Sequence, residues 1–455
     1  MKYIIKIFFT VVFLSLLSSC NDFLTEYPVS EVGVDNYLRN DDEVETAVLG
    51  IYSGLQDVVQ EEYALLEMRS DNAGTRSGVG DWAQFETFTV LTTNSVVAAY
   101  WNACYTTIYR SNLVLANIEN VADSTKRAQF EGEARFVRGY MHFNLVRLFG
   151  NVPLGDRMVA EGDVDGYVQV SEEEVYSLVE SDLKFAAENL LSKSEIDLGR
   201  ANKESAEMML AQYYLQIGNY DDAKALLQGI IDGGNFSLTA EYDNIFYQEL
   251  GNEIIFPISF IDDNTDNSQT FSYYFLYEQG SHNYATDNMI ALYESQPGTS
   301  GEDTRYTTNI VDHRGERKGC GKFLTNSSNI RLAGNDYILL RYSDVLLLYI
   351  EALIGEGFQT SDATALDYFN TIRARAGLDP IANITKPTLA TERRKEFLYE
   401  NKRWFDLIRT GDLEYTITNF MNDQGLNFDK RHLLLPIPQR EIDTSKGQLS
   451  QNPGY

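Results

Sequence analysis

The sequence predicts a mainly α-helical protein in which antiparallel helical pairs of the tetratricopeptide type are combined with one long loop-rich segment. Three observations support this fold class. Apolar residues recur at every third or fourth position over much of the first half, and a later stretch has tetratricopeptide spacing. Between Gly233 and Asn335 the chain is instead rich in Asn, Asp, Gly and Tyr. At 455 residues the chain exceeds what one hydrophobic core usually supports, so an extended helical array is expected.

The first element is a segment with the pattern of a bacterial lipoprotein signal. Two lysines precede an apolar run over residues 7–17, and the small residues that follow end at Cys20. The run is too short to cross about 30 Å of hydrocarbon. We therefore predict a signal peptide over residues 1–19 and a single body over residues 20–455, anchored by acyl chains on Cys20.

Four helices are predicted next from the helical spacing of apolar residues. Ser171 followed by Glu174 has the form of a capping box at the start of the fourth helix. Trp101 and Cys104 fall on the apolar stripe of the second helix and are predicted to be core residues. The predicted helices cover residues 41–60, 96–118, 129–149 and 171–191.

The clearest helical pair lies in the stretch "ESAEMMLAQYYLQIGNYDDAKALLQGII", where small residues recur at tetratricopeptide spacing and Gly218 permits the tight turn. A looser pair is formed by "RYSDVLLLYIEALIGEG" and "SDATALDYFNTIRARAG", with Gly377 as the stop. The repeats thus lie within about 41–232 and 336–410. Residues 233–335 form a loop-rich insertion, in which "GNEIIFPISF" has strand character and the remainder is predicted as long loops.

The composition and the motifs argue against several function classes. With 67 acidic and 37 basic residues, a net charge of −30 makes nucleic acid a poor partner. "GERKGCGKF" fails as a phosphate loop, because Glu316 and Phe323 stand where glycine and Ser or Thr are required. The four histidines lack metal-ligand spacing, so no catalytic, metal or cofactor site is predicted. A spatial pair of glycosidase carboxylates stays open, as does a disulfide between Cys104 and Cys320.

Several stretches together resemble the SusD/RagB family of nutrient-uptake outer-membrane lipoproteins. They are "NDYILLRYSDVLLLYIEAL", "ERRKEFLYENKRWFDLIRTG" and "LLLPIPQREIDTSKGQLSQNPGY", supported by "SCNDFLTEYP" and "GEDTRY". The resemblance implies a right-handed array of helical pairs with an irregular half that carries the ligand site. It also implies a protein on the cell surface that captures an oligosaccharide, or in some members a peptide, and delivers it to a SusC-like TonB-dependent outer-membrane transporter.

The resemblance also implies that the charged C-terminal motif is scaffold, since buried charges require partners. These residues are expected to pair and pack within the fold: Glu392, Arg393, Arg394, Glu396, Arg403, Trp404 and Asp406.

The candidate ligand site is the glycine-rich stretch "SDNAGTRSGVGDWAQF". A sugar site needs exposed aromatic planes for stacking and polar side chains for hydrogen bonds. Trp82 joins no helical stripe and is the stacking candidate, with Asp71, Asn72, Arg76, Asp81 and Gln84 as its polar partners. The alternatives are that Trp82 is a small hydrophobic plug or a transporter contact. A second candidate wall is formed by Tyr277, Asn283 and Tyr284.

The function predicted from the sequence is non-catalytic capture of an extracellular glycan for import. Three alternatives stay open: capture of a peptide by the same kind of complex, a surface glycoside hydrolase, and a structural helical scaffold that binds only the transporter.

Overall fold

The computed structural model describes residues 37–75, 78–159, 164–276, 283–295, 302–313, 317–325 and 327–455. Within these ranges the α-helices are α1 Asp41–Leu66, α2 Ala83–Glu86, α3 Ser95–Ala116, α4 Ser124–Phe149, α5 Glu172–Asn189, α6 Lys203–Gln216, α7 Tyr220–Gly233, α8 Asn244–Tyr247, α9 Phe271–Leu276, α10 Asp287–Glu294, α11 Arg305–Asn309, α12 Tyr342–Ile354, α13 Ala363–Arg375, α14 Lys386–Glu396, α15 Arg403–Thr410, α16 Leu413–Asp423 and α17 Gln439–Thr444. The strands are β1 Ala73–Gly74, β2 Val152–Pro153, β3 Gln169–Val170, β4 Ile254–Ile258, β5 Tyr284–Ala285, β6 Ile310–His313, β7 Arg317–Cys320, β8 Tyr337–Arg341, β9 Gln359–Thr360 and β10 Ile384–Thr385.

The four helices predicted in the first half are confirmed as α1, α3, α4 and α5. Helix α1 continues past the predicted end to Leu66, because its last turn is buried. Helix α4 begins earlier than predicted, because the Asp123 carboxylate accepts hydrogen bonds from the backbone N–H groups of Thr125 and Lys126 at 2.8 and 3.0 Å. The Ser171 hydroxyl caps α5 by accepting from the Glu174 N–H at 3.3 Å.

Both predicted helical pairs are confirmed, as α6 with α7 and α12 with α13. Gly218 turns the chain between α6 and α7 with φ of +76°, and Gly377 follows α13 with φ of +72°. Helix α7 also packs against α12, so the two pairs form one array with α1, α3, α4 and α5, in which each helix contacts the next. The mainly α-helical fold class is therefore confirmed.

The strand predicted at "GNEIIFPISF" is confirmed as β4, which pairs antiparallel with β8 and is buried along its whole length. The prediction of long loops in the rest of the insertion is wrong for part of it. The described residues of this segment include four short helices, and β5, β7 and β6 form a sheet with β1 in the order β1-β5-β7-β6. These elements are too short to leave a periodic signal in the sequence.

The core confirms the structural roles predicted for the C-terminal motif. Trp404 is fully buried, with the Arg69 guanidinium 4.0 Å from the centre of its ring. Trp101 and Cys104 are core residues, and Cys104 and Cys320 are both buried free thiols. No helix in the described part of the chain combines the length and the apolar composition needed to cross a membrane.

Candidate functional site

The two walls predicted from the sequence meet at a short antiparallel strand pair. Strand β1 follows α1 directly and pairs with β5, so that Gly74 lies opposite Tyr284. The Tyr284 hydroxyl donates to Glu86 Oε1 at 3.4 Å, and the Thr75 N–H donates to Glu86 Oε2 at 2.9 Å. A Cβ at Gly74 would stand 3.1 Å from the Tyr284 ring, so any larger residue there would press against this ring.

Trp82 stands at the start of α2 and contacts a tyrosine that sequence reasoning missed. Its ring centre lies 5.3 Å from that of Tyr274 on α9, with 41° between the planes. Both side chains are half-buried, so each keeps part of its surface accessible to solvent. The only signal for Tyr274 was the Tyr273-Tyr274 doublet, which precedes the second candidate wall in the sequence. Trp82, Tyr274 and Tyr284 are called the aromatic site below.

The loop that carries Trp82 is fastened to the N-terminus of α3. The Asp81 carboxylate accepts hydrogen bonds from the Ser95 N–H at 2.9 Å and from the Ser95 hydroxyl. Gln84 Oε1 accepts from the Leu91 N–H at 3.1 Å and from Asn94 Nδ2 at 2.9 Å. Asp81 and Gln84 therefore orient Trp82, and contact between either residue and a ligand stays a prediction.

Asp71 and Asn72 are buried and paired within the fold, and their contact with a ligand stays a prediction. Asp71 accepts from Arg403 Nε at 2.7 Å and pairs with Arg394 at 3.1 Å. Burial alone would raise the pKa of Asp71, but the two guanidinium groups lower it to about 2. Asn72 donates to Glu67 at 3.1 Å and accepts from Arg394 Nε at 2.8 Å. Both residues anchor β1 to the C-terminal helices, which the sequence did not reveal.

One acidic and one basic side chain flank Tyr274. Burial raises the pKa of Glu61, on α1, to about 6. Arg331 donates to the Tyr273 hydroxyl at 2.8 Å, and its guanidinium lies 4.2 Å from the centre of that ring. Burial raises the pKa of Tyr274, and Glu61 raises it further, while Arg331 lowers it. Aromatic planes beside a carboxylate and a guanidinium offer stacking together with hydrogen-bond acceptors and donors, which suits a polyhydroxylated ligand.

The remaining predicted site residues divide into two groups. Cys20, Arg76 and Tyr277 lie outside the described residues and stay predictions. Asn283 is 1% exposed, and neither atom of its amide has a hydrogen-bond partner among the described residues. Its contact with a ligand also stays a prediction. The described part of the chain holds no group of His, Cys, Asp and Glu side chains suited to a metal ion.

Known proteins resemble this chain over nearly its whole length. SusD-like protein P2 of Formosa agariphila is 27% identical, with 99% of each chain covered. Among solved structures, a laminarin-binding SusD-like protein has a TM-score of 0.79 at 24% identity and covers 92% of this chain and 100% of its own. Surface glycan-binding protein A from Bacteroides thetaiotaomicron, in complex with laminarihexaose, has a TM-score of 0.77 at 22% identity and covers 91% and 99%. These solved structures establish the shared fold.

Two family models match consecutive parts of the sequence. Residues 22–215 match a model described as "Starch-binding associating with outer membrane", and residues 233–455 match the model of the SusD family. The two matches follow each other in chain order and include both the Trp82 loop and the C-terminal charged motif. The helical array, the irregular half and these matches agree, and the chain belongs to the SusD family.

Proposed function

We propose that this protein captures a neutral extracellular glycan at the aromatic site and performs no reaction on it. The observation that carries the proposal is the contact between Trp82, at the start of α2, and Tyr274, on α9, two half-buried rings from separate elements. Sugars present apolar C–H faces that stack on such rings. The name of the laminarin-binding relative and the description of the starch-binding family model support a glycan as the ligand class.

Charge favours a neutral ligand over an anionic one. The chain carries a net charge of −30, which repels polyanions at a distance. Glu61 adds a carboxylate near Tyr274, while Arg331 supplies the opposite charge. A glycan without carboxylate or sulfate groups can accept hydrogen bonds from the guanidinium and donate hydroxyl hydrogens to the carboxylate.

The absence of catalysis is part of the proposal and is supported by how the carboxylates of the loop are used. Asp81 accepts hydrogen bonds from Ser95 and Gln84, and Glu86 accepts from Thr75 and Tyr284. A general acid or nucleophile must instead reach the reacting bond. Incubation with the bound glycan should therefore release no new reducing ends.

Delivery to a TonB-dependent transporter at the outer membrane completes the proposal. It is supported by the resemblance of the C-terminal motifs and by the description of the family model that matches residues 22–215. A lipid anchor on Cys20 would hold the body at the membrane surface, since each buried methylene contributes about 0.8 kcal/mol. In cells, Cys20→Ala should move the protein out of the membrane fraction, and an unchanged distribution on fractionation would contradict the anchor.

The test of glycan capture is calorimetric titration of the purified protein with laminarihexaose, maltohexaose, other neutral oligosaccharides and a peptide mixture. Trp82→Ala should weaken glycan binding roughly tenfold or more, because the stacking plane is lost. Tyr415→Ala is the matched control, since Tyr415 is 74% exposed on α16 and lies outside the aromatic site. It should bind like the unmodified protein.

Each outcome of the titration has a distinct meaning. Heat with a glycan that is lost in Trp82→Ala but kept in Tyr415→Ala, at an unchanged melting temperature, supports the proposal. Heat with peptides alone would replace the ligand class. Equal glycan binding by Trp82→Ala would mean that capture takes place elsewhere on the molecule.

A further inference from the structure

A cavity lined by none of the aromatic-site residues lies between α3, α17 and two residues of the intervening chain, Pro153 and Tyr167. Its volume is about 370 Å³, within the range of about 300–1,000 Å³ that small-molecule sites occupy. Trp101 and Tyr105 contribute from α3, Tyr167 from the segment before β3, and Glu441 from α17. The cavity therefore forms where the C-terminal segment closes against the first half of the chain.

Aromatic rings form much of the wall of this cavity. Trp101 and Tyr105 have ring centres 4.9 Å apart, and the Tyr105 hydroxyl is fixed by donating to the Pro153 carbonyl at 2.9 Å. Tyr167 is 54% exposed, so most of one large ring is open to solvent. The exposed ring of Tyr167 leaves apolar surface uncovered in the free protein, and a ligand with an apolar face could cover it.

Three polar side chains at the cavity lack hydrogen-bond partners within the described part of the protein. They are the Asn102 amide, the Tyr167 hydroxyl and the Glu441 carboxylate. By contrast, the Thr444 and Ser445 hydroxyls, also in the wall, donate to backbone carbonyls of α17 at 2.8 Å. A donor and acceptor amide, a phenol and a carboxylate are thus left for a ligand that offers several hydroxyl groups.

We infer that this cavity is a second carbohydrate site, which takes one or two rings of a neutral pyranose sugar. The volume is too small for a longer oligosaccharide to be enclosed, so only the end of a chain, or a mono- or disaccharide, fits. The unpaired Glu441 carboxylate on a protein of net charge −30 disfavours an anionic sugar. An apolar side chain of a partner protein is the competing occupant, but it would make no hydrogen bond with the three polar groups.

The three tryptophans of the chain allow the two sites to be observed separately. Full-length protein labelled with 5-fluorotryptophan should give three fluorine signals, assigned by single Trp→Phe variants. Trp101 reports on the cavity and Trp82 on the aromatic site, while buried Trp404 is an internal control. The probes are methyl β-D-glucopyranoside, cellobiose, laminaribiose and maltose, with glucuronic acid as the anionic comparison and tyrosine amide as the apolar one.

We expect at least one neutral sugar to shift the Trp101 signal saturably, while Trp404 does not move. Tyr167→Ala should weaken this binding roughly tenfold, because it removes the exposed stacking plane. Tyr109→Ala is the control and should leave sugar binding unchanged, because Tyr109 is 48% exposed on α3 and does not line the cavity. Glu441→Gln should reduce the discrimination against glucuronic acid.

Three results would overturn the inference: a Trp101 signal that no neutral sugar moves, an equal response in Tyr167→Ala, or a response to tyrosine amide alone. The last result would make the cavity a docking site for a partner side chain. Movement of Trp101 without movement of Trp82 would leave the inference standing and count against the aromatic site, so the two proposals fail separately.

Discussion

Gly74 is the residue at which the two walls of the aromatic site touch. A Cβ there would lie 2.7 Å from Glu86 Oε1 and 3.1 Å from the Tyr284 ring. The Glu86 carboxylate could rotate away, whereas the pairing of β1 with β5 keeps the backbone of Tyr284 opposite Gly74. The absence of a side chain at Gly74 therefore sets how closely Tyr284 approaches the loop that carries Trp82.

Replacing Gly74 by valine should damage the aromatic site. Gly74→Val forces the Tyr284 ring outward, so we expect a loss of unfolding free energy of about 1–3 kcal/mol and weaker glycan binding. Gly78→Val is the matched control in the same loop, because a Cβ at Gly78 meets no atom within 4 Å. Thermal unfolding and calorimetric titration of both variants check the prediction, and equal behaviour of the two would contradict it.

At the residue scale, the sequence identified residues that do not fit the apolar stripe of a helix. It did not identify residues whose contacts lie far away in the sequence. Trp82 could be nominated because no apolar stripe includes it, and it does contact another aromatic ring. The ion pairs of Asp71 could not be predicted, because its partners, Arg394 and Arg403, come from the far end of the chain. Tyr274 was missed because its contact with Trp82 joins elements that are far apart in the sequence, which leaves no trace in local spacing.

At the element scale, buried ion pairs join the C-terminal helices to the central strand pair. Arg341 ends β8 and donates to Glu253, Glu396 and Glu400 at 2.9, 2.7 and 2.7 Å. All four side chains are buried, and Glu396 also accepts from Arg305 at 2.9 Å. Each carboxylate lost its hydration on folding, so its buried charge is stabilised by neighbouring cations such as these guanidinium groups. The charged C-terminal motif thus fixes α14 against β4 and β8.

Removing the central guanidinium should be far more costly than removing an exposed one. Arg341→Leu removes a shared guanidinium from three buried carboxylates, so we expect a loss of about 3–5 kcal/mol in unfolding free energy. Arg39→Leu is the control, since Arg39 is 63% exposed and lies 4.0 Å from Glu43. It should show no measurable loss. Chemical denaturation measures both variants, and a mild effect at Arg341 would refute a structural role for the network.

Long helices with a repeating apolar pattern could be predicted from the sequence. Short strands that form only by pairing with distant segments could not. The tetratricopeptide pair α6 and α7 follows from local spacing and the turn at Gly218. The sheet β1-β5-β7-β6 escaped prediction because its strands have two to four residues each and come from separate parts of the chain. A strand of two residues has no alternation to detect, and its pairing depends on long-range closure.

At the scale of the whole molecule, buried carboxyl groups fall into two classes with opposite effects on stability. Burial raises the pKa of Glu67 and Asp336 to about 7, and that of Glu61 to about 6. Their folded pKa values lie above the unfolded ones, so their stabilising contribution is present at low pH and is lost as pH rises from about 4.5 to about 7. Repulsion within a chain of net charge −30 acts in the same direction.

The second class consists of carboxyl groups that neighbouring arginines hold ionised. Burial would raise the pKa of Asp71, Glu396 and Asp406, but guanidinium groups outweigh it and lower all three, that of Asp71 to about 2. Their folded pKa values lie below the unfolded ones. Their contribution is therefore complete above about pH 5 and is lost as pH falls through the folded values.

Together the two classes predict a melting temperature that is highest near about pH 5 and falls on both sides. Scanning calorimetry over a pH series measures the melting temperature. Repeating the series in high salt separates the two causes of its fall with rising pH, which are the ionisation of buried carboxyl groups and the repulsion between charges. Salt screens repulsion between surface charges, whereas buried carboxyl groups keep their effect. The fall in melting temperature with rising pH that persists in high salt should be smaller in Asp336→Asn and in Glu67→Gln, because neither amide ionises.

A melting temperature that stays constant from about pH 5 to 8 in high salt would contradict the raised pKa values. A melting temperature that rises below about pH 4 would contradict the lowered pKa values.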